Sequence, residues 1–425
     1  MKIIFSLGSL VILNLLFTLA IQWLVLVYIG PGEKTDAYFS AQVLTLIPLA
    51  VVGDVAMRVL VPLLAGIPKP VLTGIVKVFI VQSFLGLVIV AVLLISSASI
   101  WVSVLSPGLS SQALALAVEM AKIMSITLVF GGLTTVLKAV YYAEQRFIYP
   151  ELSQLIPGIL VFLGIIWALP IYGIVSVAWG AVIRWMLQAI MLMMRNDWRV
   201  SSKGDPEIIR LAWQRMRALL FGASIYETGP MLDRYLASLA PVGSISLLAF
   251  GNQFYTLFLV LTDKIFAAPL ISISANDINA GQINALREKY VQKVILLGAG
   301  AICVWVAFVL YGKWGLNFMI GYGQFGPEEI DTLWQLMVVL GAMLVGVAGQ
   351  LSTSCLYGMG KTNSVLKVTI INFLICAVIK VFAFNRIGVI GIAIGMVAYQ
   401  LFNAIGLHIV FFSKLRKLGI HDSAK

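Results

Sequence analysis

GIVSVAWGAVIRWMLQAIML (Gly173–Leu192) and GVIGIAIGMVAYQLFNAIGL (Gly388–Leu407) are one stretch of sequence written twice. At one constant offset the pairs are Gly173/Gly388, Ala178/Ala393, Gly180/Gly395, Val182/Val397, Ala189/Ala404, Ile190/Ile405 and Leu192/Leu407. The line extends upstream to Tyr142/Tyr357 and Arg146/Lys361. It grows fainter near the start of each half, where Gly32/Gly243, Gln42/Gln253 and Thr45/Thr256 match at a slightly shorter offset.

The chain carrying this repeat has 425 residues, 61% of them hydrophobic and 11% charged, with mean hydropathy +1.01. So few charges cannot cover a soluble domain of this size. The apolar runs have the length that crosses a hydrocarbon core of about 30 Å as helices, and the alternating segments of about ten residues that build a barrel are absent. The fold class expected is therefore all-α: a polytopic membrane protein of about twelve transmembrane helices in two parallel six-helix repeats around a central cavity. The expected organisation is an N-lobe over 1–200, a cytoplasmic connecting segment over 201–211, a C-lobe over 212–413 and a basic tail over 414–425. The seventh and eighth spans are expected over 212–239 and 244–274.

Orientation follows from loop charge. With both termini cytoplasmic, the inner side collects Lys2, Lys69, Lys77, Arg146, Arg195, Arg199, Lys203, Arg210, Arg215, Arg217, Arg287, Lys289, Lys293, Lys361, Lys367, Lys414, Arg416, Lys417 and Lys425; the outer side holds only Lys34, Lys313 and Arg386. The net charge of +11 then reports topology and contact with anionic lipid, not nucleic acid. In the inner connection, Asp205-Pro206-Glu207 reads as a helix start, with a capping acid and a first-turn proline. That helix is either an interfacial elbow or a plain entry to the seventh span. Cys303, Cys355 and Cys376 lie apart within apolar runs, and His408 and His421 have no metal-spaced partners, so no metal site is expected. The run 3–29 is too long for a signal-peptide core and is expected to be a retained span.

Ionisable groups inside hydrocarbon are costly, about 2.5–3.5 kcal/mol each on insertion scales, so each needs a partner or a wet cavity. Asp54 and Arg58 lie four apart on one helical face and can pair. Lys264, with Asp263, falls at a similar depth in the other half, and Arg184 is a lone cation near mid-span. Arg58, Arg184 and Lys264 are the expected anion-binding cations; structural pairing is the alternative for Asp54–Arg58. Asn252, Gln253 and Gln42 can hydrogen-bond sugar hydroxyls or join helices. Glu227, close to the kink expected at Pro230, is with Asp233 and Asp263 a candidate for ion coupling; an acid satisfied by Arg234 is the alternative.

Two segments, GPGEKTDAYF (Gly30–Phe39) and LDRYLAS (Leu232–Ser238) running into PVGSIS (Pro241–Ser246), resemble the MviN/MurJ-type lipid flippases. Gly358-Met359-Gly360-Lys361 and Gly388-Val389-Ile390-Gly391-Ile392-Ala393 are similar to motifs of the wider multidrug/oligosaccharidyl-lipid/polysaccharide (MOP) exporter superfamily. The resemblance adds Asp36 and Arg234, from the two matching segments, to the cavity set. It implies a transporter, not an enzyme, in a bacterial inner membrane. No cofactor is implied beyond a Na⁺ or H⁺ gradient or the membrane potential. The implied partners are the polyprenyl-linked glycan, anionic lipids and glycan-assembly proteins, around a monomeric transport unit. The family usually carries fourteen spans, and places arginines where this chain has Leu15, Ile21, Leu49 and Gln253. The expected cargo is accordingly a polyprenyl-diphosphate-linked oligosaccharide other than lipid II, exported by alternating access. Lipid II flipping proper and MATE-like, cation-coupled drug antiport are the alternatives. A membrane-bound glycan enzyme fits poorly, because the longest outer loop, 312–329, offers only Lys313, Glu328 and Glu329 for acid–base work.

Overall fold

The computed structural model describes residues 2–194, 204–226 and 228–422, and among them every regular element is helical. Eleven segments are long and apolar enough to span a bilayer. By contacts the chain forms two compact units, Met1–Ser246 and Leu247–Lys425.

The first unit holds α1 (Lys2–Ile29), α2 (Glu33–Leu64), α3 (Lys69–Leu105), α4 (Ser111–Ala143), α5 (Ile148–Tyr172), α6 (Val175–Met194), α7 (Pro206–Tyr226) and α8 (Thr228–Ser238). α4 is its central helix: α2, α3 and α6 all pack on it, while α5 bridges α6 and α1. Small residues permit this, since Gly131 lies against Leu49 of α2 and Gly132 against Leu87 of α3. α3 keeps much of its apolar length exposed, as a lipid-facing helix should.

The second unit is built from α9 (Ser244–Thr262), whose first three residues belong to the first unit, a π-turn over Asp263–Ala267, α10 (Ala268–Asn279), α11 (Ile283–Ile320), α12 (Pro327–Gly341), α13 (Met343–Gly346), α14 (Gly349–Gly358), α15 (Thr362–Ile387) and α16 (Val389–Asp422). α16 is its organising helix, contacted by α12, α13, α14 and α15. Gly349 lets α14 meet the backbone of Ala404, and Gly391 and Gly395 bring α16 onto α15.

The internal repeat survives down to single hydrogen bonds. After α4, Gln145 turns left-handed (φ 59°) and the Arg146 amide donates to Tyr141 O at 2.8 Å; after α14, Gly360 does so (φ 68°) and the Lys361 amide donates to Leu356 O at 2.8 Å. Both are Schellman-type helix ends. The turns from α5 to α6 and from α15 to α16 also match: Gly173 (φ 62°) donates to Leu169 O at 3.0 Å, and Gly388 (φ 60°) to Phe384 O at 2.8 Å. At the fainter start of the repeat, the Thr35 hydroxyl donates to Gly32 O at 3.0 Å and the Ser246 hydroxyl to Gly243 O at 2.8 Å.

Several boundaries differ from those expected. Against about twelve spans there are eleven candidates among the described residues, none of them over the expected seventh, 212–239. Over 212–239 the described residues are helical, as α7 up to Tyr226 and α8 from Thr228, and residue 227 between them lies outside the described set. Arg210, Arg215 and Arg217 make α7 too polar to qualify, and Pro230 in the first turn of α8 has no N–H to offer the carbonyl of residue 226. The eighth span, expected over 244–274, is broken by the π-turn at Asp263 and continues as α10 to Asn279. The unit boundary falls after Ser246, well beyond the connector expected at 201–211. α7 is the reason: Asp205 caps it, accepting from the Glu207 amide at 2.9 Å, and Ala212, Met216 and Trp213 pack into the α2–α3 core with Leu60, Leu64 and Phe79. The Trp213 indole also donates to Gln82 of α3 at 2.7 Å. Seated there, α7 is part of the first unit's packing.

Candidate functional site

Polar side chains on five helices meet inside the first unit, and Arg184 of α6 is at their centre. Its Nη1 and Nη2 both donate to the Thr18 hydroxyl of α1, at 3.2 Å each. That hydroxyl spends its own proton on Asn14 O one turn earlier, at 2.9 Å, which leaves its oxygen free to accept. The guanidinium lies over Gly158 of α5, where a Cβ would come within 3.7 Å of Nη2. Tyr38 of α2 is close enough to feel its charge and is itself bonded by Gln42 Nε2 at 3.3 Å. Among the described residues no carboxylate pairs with Arg184. A guanidinium with two of its five N–H groups on one neutral oxygen keeps donors for a planar oxyanion.

From Asn14 the hydrogen bonds run on to an acid. Asn14 Nδ2 donates to Glu151 O (3.1 Å) and Oε2 (3.3 Å), the Tyr142 hydroxyl donates to Glu151 Oε1 at 2.9 Å, and Lys138 Nζ reaches Gln154 Oε1 at 2.9 Å. Neutral groups of α1 thus connect the cation on α6 to a buried carboxylate at the start of α5. The interior is under-satisfied around this chain: Asn14 Oδ1, Gln22 Oε1 and Gln188 Nε2 are buried without hydrogen-bond partners. Orphaned groups of this kind mark a place where water or a ligand belongs.

A second polar centre sits where α8 turns into α9. Asp36, in the first turn of α2, accepts from the amides of Gly243 at 2.7 Å and Ser246 at 2.8 Å, one on each carboxylate oxygen. Arg234 of α8 donates to Ile245 O at 3.2 Å and lies within electrostatic reach of Asp36 and Asp233. Asp36 is therefore placed as a cap on the N-terminus of α9, where a carboxylate is favoured.

The other expected site residues fall elsewhere. Asp54 and Arg58 pair with each other at 2.9 Å on an exposed face of α2. Asn252 and Gln253 are half-buried on α9, in the second unit, with Asn252 O accepting from Thr256. Asp263 is exposed at the first residue of the π-turn. Lys264 lies in that turn, but its side chain is outside the described set, and Glu227 lies outside the described residues altogether. Of the expected set, the first unit brings Arg184 near Gln42, and Asp36 near Arg234 and Asp233. Sequence reasoning missed Asn14, Thr18, Gln22 and Glu151. The first three recur every fourth residue, on one face of an otherwise apolar helix, a signal that was there to be read.

Comparison with known proteins gives this arrangement a family. The family model described as lipid II flippase MurJ matches residues 25–425. A probable lipid II flippase MurJ from Synechocystis sp. is 21% identical over 349 residues, covering 74% of this chain and 62% of the relative, so the match spans less than two thirds of that protein. Among solved structures, the chain is similar to lipid II flippase MurJ in an inward closed conformation (TM-score 0.79, 17% identity, 98% of this chain and 90% of that one). It is equally similar to an inward-facing MATE-family multidrug resistance transporter of the MOP superfamily (TM-score 0.80, 14% identity, 95% of each chain). At these identities the structural matches show the fold alone. Expecting a cargo other than lipid II put the family's own substrate second; the family match favours the reverse order. By that match, covering nearly all of its length, the chain belongs to the lipid II flippase MurJ family.

Proposed function

We propose that this protein flips a lipid II-type precursor, a polyprenyl diphosphate bearing a glycan, across the bacterial cytoplasmic membrane by alternating access. The observation that carries the reading is Arg184: a guanidinium inside the first unit, bonded only to Thr18 among the described residues and lacking a carboxylate partner. A diphosphate offers the bidentate oxygens that a guanidinium binds best. The orphaned amides of Asn14, Gln22 and Gln188 supply hydrogen-bonding capacity beside it for waters or sugar hydroxyls. The excess of Lys and Arg on one set of loops supports an orientation with both termini in the cytoplasm, and in this reading the protein works as a monomer driven by an ion gradient or the membrane potential.

One observation favours a wider cargo. Ile21 and Leu49 are buried apolar residues at positions where the family resemblance implies arginine. A chain with fewer cations leans on Arg184 and tolerates other polyprenyl-diphosphate glycans. Reconstitution in proteoliposomes with fluorescent lipid II, challenged by a polyprenyl-diphosphate carrying a different glycan, tests both readings. Movement of lipid II supports the first, equal competition by the second glycan supports the broader cargo, and movement of neither removes the flippase reading.

A further inference from the structure

The second unit contains a hydrogen-bonded chain that the proposed transport function leaves unexplained. Tyr290 of α11, Ser352 of α14 and His408 of α16 are joined in series: Tyr290 Oη and Ser352 Oγ are 2.6 Å apart, and Ser352 Oγ and His408 Nδ1 are 2.7 Å apart. His408 Nδ1 is also 2.9 Å from Ala404 O, an atom that can only accept. With two oxygens converging on Nδ1, that nitrogen carries the proton in the neutral ring, and the basic lone pair is left on Nε2. Among the described residues Nε2 has no hydrogen-bond partner.

Partial burial of the ring works against an imidazolium, and what favours one here is the pair of oxygens on Nδ1. Ala404 O and Ser352 Oγ both become acceptors of a charge-assisted bond when the ring gains its second proton. The Tyr290 ring centroid is 5.5 Å from that of His408, within cation–π range. Tyr290 is fully buried, wedged against Phe411 at 4.4 Å, so the three-helix arrangement is rigid. Titratable and charged groups on the elements packed here include Arg287, Glu288, Lys289 and Lys293 of α11, Cys355 and Tyr357 of α14, Lys367, Cys376, Lys380 and Arg386 of α15, Lys414 and Arg416 of α16, and Asp277 of α10. Asp277 is held by Lys289 at 2.8 Å, and Glu288 accepts from Gln292 at 3.3 Å on an exposed face of α11.

We propose that His408 is a proton-binding site coupled to the transport cycle. Nε2 takes a proton from water, forming one N–H bond, while Nδ1–H stays fixed on Ala404 and Ser352; the reverse step returns the proton to water with no change of oxidation state. Proton binding is a property of the cluster itself, whereas its coupling to flipping rests on the transport reading above.

Two measurements separate these parts. The chain has only two histidines, so ¹⁵N-histidine NMR of the whole protein, carrying His421→Gln, reports His408 alone. The expected result is Nδ1 protonated throughout and Nε2 gaining one proton as the pH is lowered. A neutral ring protonated on Nε2, or no titration, overturns the site. In proteoliposomes, an imposed gradient of about one pH unit is expected to change wild-type flipping several-fold, up to the roughly tenfold limit for one proton. His408→Gln is expected to give the same rate with and without the gradient, and a wild-type response in that variant overturns the coupling. If the wild type flips nothing, the transport reading fails, and the NMR arm alone decides whether His408 binds the proton.

Discussion

Replacing Asp36 by Ala or Asn tests the cap on α9 quantitatively. The carboxylate accepts two backbone N–H bonds, at 2.7 and 2.8 Å, in a buried site beside Arg234. Hydrogen bonds to a charged group are each worth about 1.5–3 kcal/mol, and a buried amide left unpaired costs about 1–3 kcal/mol. Asp36→Ala removes both bonds and leaves Arg234 facing one fewer anion, so a loss of about 3–5 kcal/mol is expected. Asp36→Asn keeps one acceptor and turns its NH₂ toward the other amide, for a loss of about 2–3 kcal/mol. Hydrogen exchange reads this out locally. At 1.4 kcal/mol per tenfold, the Gly243 and Ser246 amides should exchange about 30- to 140-fold faster in Asp36→Asn, with amides of α15 unchanged. Wild-type protection at Gly243 and Ser246 in that variant would refute the cap and its energetics.

Three further substitutions probe the repeat and the interior. Gly173→Ala and Gly388→Ala should each cost about 1–3 kcal/mol, and nearly equally, because both positions combine positive φ with extended ψ; chemical unfolding in detergent compares them. Gln145→Gly should stabilise the protein by about 1 kcal/mol, since Gln145 holds the left-handed position that Gly360 fills in the second copy; a thermal-shift measurement checks the sign. Tyr142→Phe and Glu151→Gln should each destabilise, with a coupling energy of about 0.5–3 kcal/mol in a double-mutant cycle, because the two side chains share a 2.9 Å bond.

Those predictions also mark how much could be read from the chain. Helical class and repeat were legible because both live in composition and spacing: Gly173/Gly388 stood out in sequence and proved to be identical left-handed turns. The seventh span was half legible, since its arginines mark a polar start, but the seat of α7 on α2 and α3 depends on Trp213 meeting Gln82, a contact between distant segments. Arg184 was found because a lone charge in an apolar run is conspicuous. Its partners Thr18 and Asn14 were not, because uncharged polar residues barely disturb a hydropathy profile. Asp36 was legible as a motif residue and not as a cap, because its acceptors' partners, Gly243 and Ser246, lie in another part of the sequence.

The most direct test of the account is lipid II flipping in proteoliposomes by the wild type, Arg184→Lys and Arg184→Ala, each first shown to be folded and monodisperse. A planar fork holding a diphosphate predicts a loss of about 100-fold or more for Arg184→Ala, as expected when a charge-assisted bidentate contact worth about 3 kcal/mol is removed. Arg184→Lys should recover only part of that, because a point charge cannot grip two oxygens at once. Wild-type rates in Arg184→Ala would contradict the account and leave Arg184 as a structural link between α1 and α6.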